Sequence, residues 1–341
     1  MSFIKQSIGL IKTGTDGSGN IMCAQNEAIS LETTSKNFTI AKVLSIFLVV
    51  TGHWFTNTIL WIPVTFGLFV FAFSSSFFTF KIYGKKIDYR TFWKKKLKRL
   101  GVRFWVTTAF LVIFIAINGG VIYHWHTLVH CAGLSGILNW TGTPNGSTLG
   151  AGLWFFTLLL LFYISYPFLA KITSNKVHAY VISVFSTVTA IYLESHIQVG
   201  YELWLTMLAF LLGVTTGTLN IHLKPGLTLG LFSVTCLALL ALNLTFKINQ
   251  FNTILIFSAS FFISLWLTNG TLPGYLFLKG FRKLESCLLE IYLIHTYLFF
   301  HFTGNTVADF LLSMSIIIFF ALVLNSVAEI ITRRVFDARP G

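Results

Sequence analysis

Charge is scarce in this chain, and acid scarcer than base. Charged residues are 10% of its 341, with 24 Lys and Arg against 11 Asp and Glu. Soluble domains carry about 25% charged residues. Hydrophobic residues reach 55% and mean hydropathy is +0.77, which excludes a soluble fold. Cysteine is rare as well. Cys23, Cys131, Cys236 and Cys287 share no metal-like spacing. Only Cys131 is expected to face an oxidising side, so no structural disulfide is required. Residues 119–150 contain no Lys or Arg. The N-terminus has no apolar core flanked by a small-residue cleavage site, so no cleaved signal peptide is expected.

What is present is a series of apolar runs of spanning length. Spans are expected at about 38–56, 59–80, 104–118, 152–170, 177–193, 201–219, 227–246, 252–269, 284–302 and 307–331. The loops between them sort by charge. Ten Lys and Arg crowd into 81–103, and Lys171, Lys176, Lys224, Lys279, Arg282 and Lys283 fall on the same side. Lys42, inside a span, and Lys247, in an outer turn, are the exceptions. The net charge of +13 is therefore the positive-inside pattern of a membrane protein, not a nucleic-acid footprint. The expectation is an all-α polytopic membrane bundle of about ten transmembrane helices, with both termini cytoplasmic.

Three segments follow. Residues 1–37 form a cytoplasmic flexible stretch, with the Gly/Ser/Asp-rich IKTGTDGSGN inside it. FIKQSIGLIK within it could lie weakly on the membrane surface, and Met22 is an alternative start codon. Residues 38–331 are the membrane domain, and 332–341 a basic cytoplasmic tail.

Ionisable residues inside spans mark function more often than not. The first span carries Lys42 and His53, eleven residues and about three turns apart, so they share a face some 16 Å from end to end, with Ile46 and Val49 between. Periodicity alone weighs a catalytic His53 equally with an interfacial one packed beside Trp54 in an aromatic belt. His295, in LLEIYLIHTYLFFH, lies at a depth near that of His53, and two histidines on different helices could form one site. Glu290 of the same run is expected to pair with a cation or a neighbouring helix, and Glu329 with Asn325 to act as helix-packing glue. Lys96 and Arg99 lie three apart on a helix face, where cations can hold phosphate or acidic lipid headgroups. His126 and His130 have i,i+4 spacing that can bind zinc, but a cluster satisfied at the interface is the stronger reading, and no metal is expected.

Five motifs in order resemble the acyltransferase type 3 family of integral membrane acyltransferases. AKVLSIFLVVTGH has that family's basic residue, ten residues, then His, as Lys42 and His53. FVFAFSSSFF matches its aromatic second span, with Ser75 where Gly is usual. Lys96 and Arg99 stand for its Arg-x-x-Arg, without the Pro that often follows. GLWFFTLLLLFYISYPFL carries Trp154, Phe155, Tyr163 and Pro167. SCLLEIYLIHTYL supplies Ser286, Tyr292 and His295. The resemblance covers about 38–331. It implies transfer of an acyl group, commonly acetyl, from acetyl-CoA or another acyl-CoA in the cytoplasm to a hydroxyl of an extracytoplasmic glycan or lipid-linked saccharide, by a multi-pass protein of the bacterial inner membrane. It implies that Arg99, helped by Lys96 or Arg103, holds the CoA phosphates, and that His53 is general base or transient acyl carrier. Lys42 would stabilise charge along the pantetheine path or orient its helix, and His295 and Tyr292 would line the site and stabilise the oxyanion. The competing classes are a glycan or lipid transporter, which predicts a repeat with Gly/Pro-broken spans, and a non-catalytic subunit of a polysaccharide export complex. Within the enzyme class the competing donor is succinyl-CoA.

Overall fold

A computed structural model describes residues 18–56, 60–84, 88–197, 199, 203–272 and 278–336, with the side chains of 18–30, 278 and 336 excepted. The described regular elements are all helical. In chain order they are α1 (Ser18–Phe55), α2 (Trp61–Tyr83), α3 (Tyr89–Ile117), α4 (Trp125–Cys131), α5 (Ser135–Trp140), α6 (Trp154–Ile172) and α7 (Lys176–His196). Then come α8 (Leu203–Leu219), α9 (Pro225–Leu240, extended by a π turn to Phe246), α10 (Asn252–Asn269), α11 (Leu278–Ser286), α12 (Leu288–Ile294) and α13 (Thr306–Phe336). Eight of them are long and apolar enough to cross a membrane by length and composition. α8, with 17 residues, is a shorter apolar helix.

The first helix begins well before the expected span. Ser18–Phe55 runs through much of the segment expected to be mobile, while residues 1–17 lie outside the described residues, as do 337–341 of the basic tail. The reason lies at the end of α10, whose last carbonyls have no partner within their own helix. The Asn37 side-chain nitrogen donates to the Leu267 and Gly270 carbonyls at 3.1 and 2.7 Å, and Thr34 donates to the Thr268 carbonyl at 2.8 Å. Those bonds hold this part of α1 against the bundle.

Gly213 and Gly217, which look like interruptions of the sixth span, lie within the continuous helix α8. A Cβ on Gly213 would stand 2.3 Å from the Phe73 carbonyl, and one on Gly217 2.5 Å from the Phe80 ring. They are small because α2 passes there, as membrane helices need for close approach. Aromatic stacks fill the core: Phe104 on Phe156 at 3.8 Å and Phe162 on Phe210 at 4.3 Å between ring centroids.

The ninth expected span, 284–302, is not one helix. It breaks at Cys287, resumes as the seven residues of α12, tightens into a 3₁₀ turn at His295–Tyr297 and then runs irregular to α13. Irregular backbone at membrane depth must find partners in protein, and it does. Arg103 donates to the Ser286 carbonyl at 2.7 Å. Ser313 accepts from the Phe300 amide at 2.9 Å, and Asp309 from those of Phe302 and Thr303 at 3.2 and 2.9 Å.

Candidate active site

A cavity of about 510 Å³ is enclosed mainly by α1, α2, α3, α6, α11 and α12, at the end of the bundle that bears the basic block. Cations from three helices reach it: Lys36 and Lys42 of α1, Lys95, Lys96, Arg99 and Arg103 of α3, and Arg282 of α11. On α1 the lining residues Lys42, Ile46 and Val49 recur at helical spacing, and the next position of that stripe is His53.

His53 and His295 come together. Their ring centroids are 5.1 Å apart. His53 is exposed at the end of α1, whereas His295 is wholly buried. Tyr292 lines the cavity and lies 5.6 Å, ring to ring, from His295, with Phe155 of α6 5.0 Å on its other side. A row of rings, Phe155, Tyr292, His295 and His53, thus leads from the cavity to the far end of α1. Trp54 does pack in an aromatic group, on His301 at 4.6 Å and Phe299 at 5.1 Å. Trp54 thus packs on the segment that follows the 3₁₀ turn, while the His53 ring lies against His295.

The cations divide into two kinds. Arg103 grips Glu290 through Nε at 2.6 Å and through Nη2, and Glu290 is wholly buried. Lys42 pairs with Glu285, which also accepts from the Thr39 hydroxyl at 2.7 Å. Both carboxylates belong to the broken segment α11–α12, so it binds α1 and α3 electrostatically. Arg103 is held by Glu290 while still lining the cavity. Lys42 is neutralised locally, which favours its orienting role over charge stabilisation. Arg99 is exposed into the cavity and makes no ion pair among the described residues. Lys96 sits 4.0 Å over the Tyr163 ring, and its Nζ lies 3.4 Å from the Thr79 hydroxyl. Tyr163 shares a 2.9 Å hydrogen bond with Ser75, so the serine found where the family has glycine helps seat the phenol that carries Lys96.

Sequence reasoning missed Glu285 and Arg282. The signal for Glu285 was its rarity, since a lone carboxylate amid the basic residues of FRKLES has few reasons to be there. Glu329, expected to glue helices, is instead mostly exposed and pairs with Arg333 one turn on, at 3.6 Å.

Over the far end lies the segment 119–150, folded around α4 and α5. His130 donates from Nε2 to the Asn145 side-chain oxygen at 3.0 Å and shares a 2.9 Å bond with Ser135 through Nδ1. The Gly146 amide donates to His126 Nδ1 at 2.8 Å. These histidines hold a loop together through their side-chain hydrogen bonds. The loop then touches the site: the Gly150 amide donates to the Tyr297 hydroxyl at 2.8 Å. Gly152, at φ +75°, lies so close that a Cβ there would be 3.8 Å from His295 Cε1. Burial pushes both loop histidines below the ordinary imidazole value, with His124 adding to the effect on His126. A histidine lowered on folding contributes stability above its unfolded value that is lost as pH falls through the folded one. Protonated His126 Nδ1 could no longer accept from Gly146. Hydrogen-exchange protection at Gly146 should therefore fall as pH drops below the ordinary imidazole value; unchanged protection would refute the assignment.

The acyltransferase-domain model of the acyltransferase type 3 family matches residues 36–329. No curated protein and no solved structure matches the chain. The match takes in the Lys42–His53 helix, the cation-bearing entry to α3, α6 and the broken segment with His295, so by the residues that build its site as well as by its length this multi-pass membrane protein belongs to the acyltransferase type 3 family.

Proposed function

We propose that this membrane acyltransferase moves an acyl group, acetyl foremost, from a cytoplasmic acyl-CoA to a hydroxyl of an extracytoplasmic glycan or lipid-linked saccharide in the bacterial inner membrane. One observation carries the reading: a cation-lined cavity at the basic end whose α1 stripe leads to His53 beside a second, buried histidine. The basic block sets that end in the cytoplasm, with both termini on the same side. Arg99 and Lys96, with Arg282 at the mouth, hold the CoA phosphates, Arg99 by the bidentate geometry that suits phosphate. The pantetheine arm extends past Ile46 and Val49. The acceptor enters from the opposite end, under the 119–150 loop, which sets its specificity.

At the junction His53 takes the proton of the acceptor hydroxyl as its oxygen attacks the thioester carbonyl. The Tyr292 hydroxyl stabilises the resulting oxyanion. The C–S bond then breaks, and the thiolate of CoA receives the proton from His53. In the variant path His53 carries the acyl group between the two substrates.

Membranes containing the protein, given labelled acetyl-CoA, should pass label to the host's surface glycan. No label from acetyl-, succinyl- or longer acyl-CoA would refute the reading. Arg99→Gln should raise KM for acyl-CoA about 10- to 100-fold, the worth of a charge-assisted hydrogen bond, with kcat little changed. An unchanged KM would remove Arg99 from the donor site.

A further inference from the structure

His295 is wholly buried, yet one of its nitrogens has no partner. Nδ1 lies 2.6 Å from the Tyr292 carbonyl. A carbonyl only accepts, so Nδ1 must carry the hydrogen. In the neutral ring Nε2 is then a bare lone pair, and it is buried without a hydrogen-bond partner. A buried acceptor left so is costly, and such a group calls for a reason. This tautomer also forbids the role expected for His295 from the resemblance: a nitrogen without hydrogen cannot donate to an oxyanion.

The nearest ring explains it. Two imidazoles joined in line by an N–H···N bond stand about 5 Å apart between centres, from an N···N distance of about 2.9 Å and two ring radii. His53 and His295 are 5.1 Å apart, tilted 49°. His53 is the exposed partner, and a turn of its ring is what the bond requires, while His295 is fixed by its burial and by Tyr292. Catalytic hydrogen bonds are commonly long before substrate arrives.

We propose that His295 is a positioning residue for His53: its Nε2 accepts the N–H of His53, which sets the tautomer of His53 and leaves that ring's other nitrogen as the lone pair facing the acceptor hydroxyl. The Tyr292 carbonyl, His295 and His53 then form a relay of orientation, in which each ring's hydrogen is placed by the acceptor behind it. No net proton is gained or lost by His295: the hydroxyl proton goes to His53 and from there to the leaving thiolate. The reading of His53 as base rests on the function proposed above.

The test compares His295→Leu, which cannot accept a hydrogen bond, with His295→Gln, whose amide oxygen can. Transfer kinetics are read together with the rate at which diethyl pyrocarbonate modifies His53, followed by mass spectrometry. His295→Leu should lower kcat about 100-fold, at the low end of the 10²–10⁴ range for acid–base catalysis, with KM for acyl-CoA unchanged, and should slow modification of His53. His295→Gln should recover at least about tenfold of the loss in kcat, a charge-neutral hydrogen bond being worth roughly that much, and restore the modification rate. Equal effects of Leu and Gln, or wild-type values for Leu, would overturn the proposal. If the unsubstituted protein transferred no acyl group, the acyl-transfer reading would fall instead, and the modification rates of His53 would still decide whether His295 orients it.

Discussion

Replacing His53 by Ala is expected to reduce acyl transfer about 10³-fold or more while the protein stays folded and inserted. The magnitude follows from general base catalysis, which contributes about 10²–10⁴-fold, and would be larger if His53 also carries the acyl group. The structural cost is small because the ring is exposed at the end of α1, beyond the buried stripe of Ile46, Val49 and Val50. The neighbouring ring loses a contact but keeps its bond to the Tyr292 carbonyl. Label transfer from acyl-CoA, measured for wild type and His53→Ala at matched membrane content, gives the answer. Activity retained by the variant would end the assignment of His53.

The second large effect is on stability. Glu290 is wholly buried and its partner Arg103 nearly so, with side-chain exposures of 0% and 15%. Removing one member of a buried ion pair strands the other charge and costs about 3–5 kcal/mol, whereas replacing both by apolar residues of similar volume is often neutral. Glu290→Leu or Arg103→Met alone should therefore lower the thermal midpoint of the detergent-solubilised protein markedly, and the double substitution should recover most of it. The expected loss is compounded because Arg103 also satisfies the Ser286 carbonyl at the break between α11 and α12. A double variant no more stable than the worse single one would show that the pair is not the source of the loss. The contrast with Arg99 is diagnostic: four residues away on the same helix, it is expected to act on substrate affinity and not on stability.

Sequence made a large part of this legible, for reasons that differ from residue to residue. The spans were readable because hydrocarbon demands about 20 apolar residues, and α10 falls on the expected 252–269. The pairing of a cation with Glu290 was foreseeable because an isolated carboxylate is not tolerated at that depth, but which cation was not. Arg103 and Glu290 are 187 residues apart in sequence, and Lys42 and Glu285 243. Nothing local selects those partners over the other cations of the cavity. The ninth span read as continuous because no Gly or Pro interrupts 284–302; Cys287 and His295 are not helix breakers. It breaks because Arg103, Ser313 and Asp309 supply the hydrogen bonds that an irregular chain needs at that depth.

By itself the sequence determined that this is a helical membrane protein, from its poverty of charge and the one-sided placement of what charge it has, and it determined the family, from five motifs whose order is a property of the chain alone. It also put Lys42, Ile46, Val49 and His53 on one face, because helical periodicity is local. Tertiary structure alone decided which cations are spent on carboxylates, that His53 meets His295, and which nitrogen of His295 holds the hydrogen. Those outcomes depend on where distant helices bring a carbonyl, a carboxylate or a second ring, and in a low-dielectric interior each such partner must be met or the group is left at a cost.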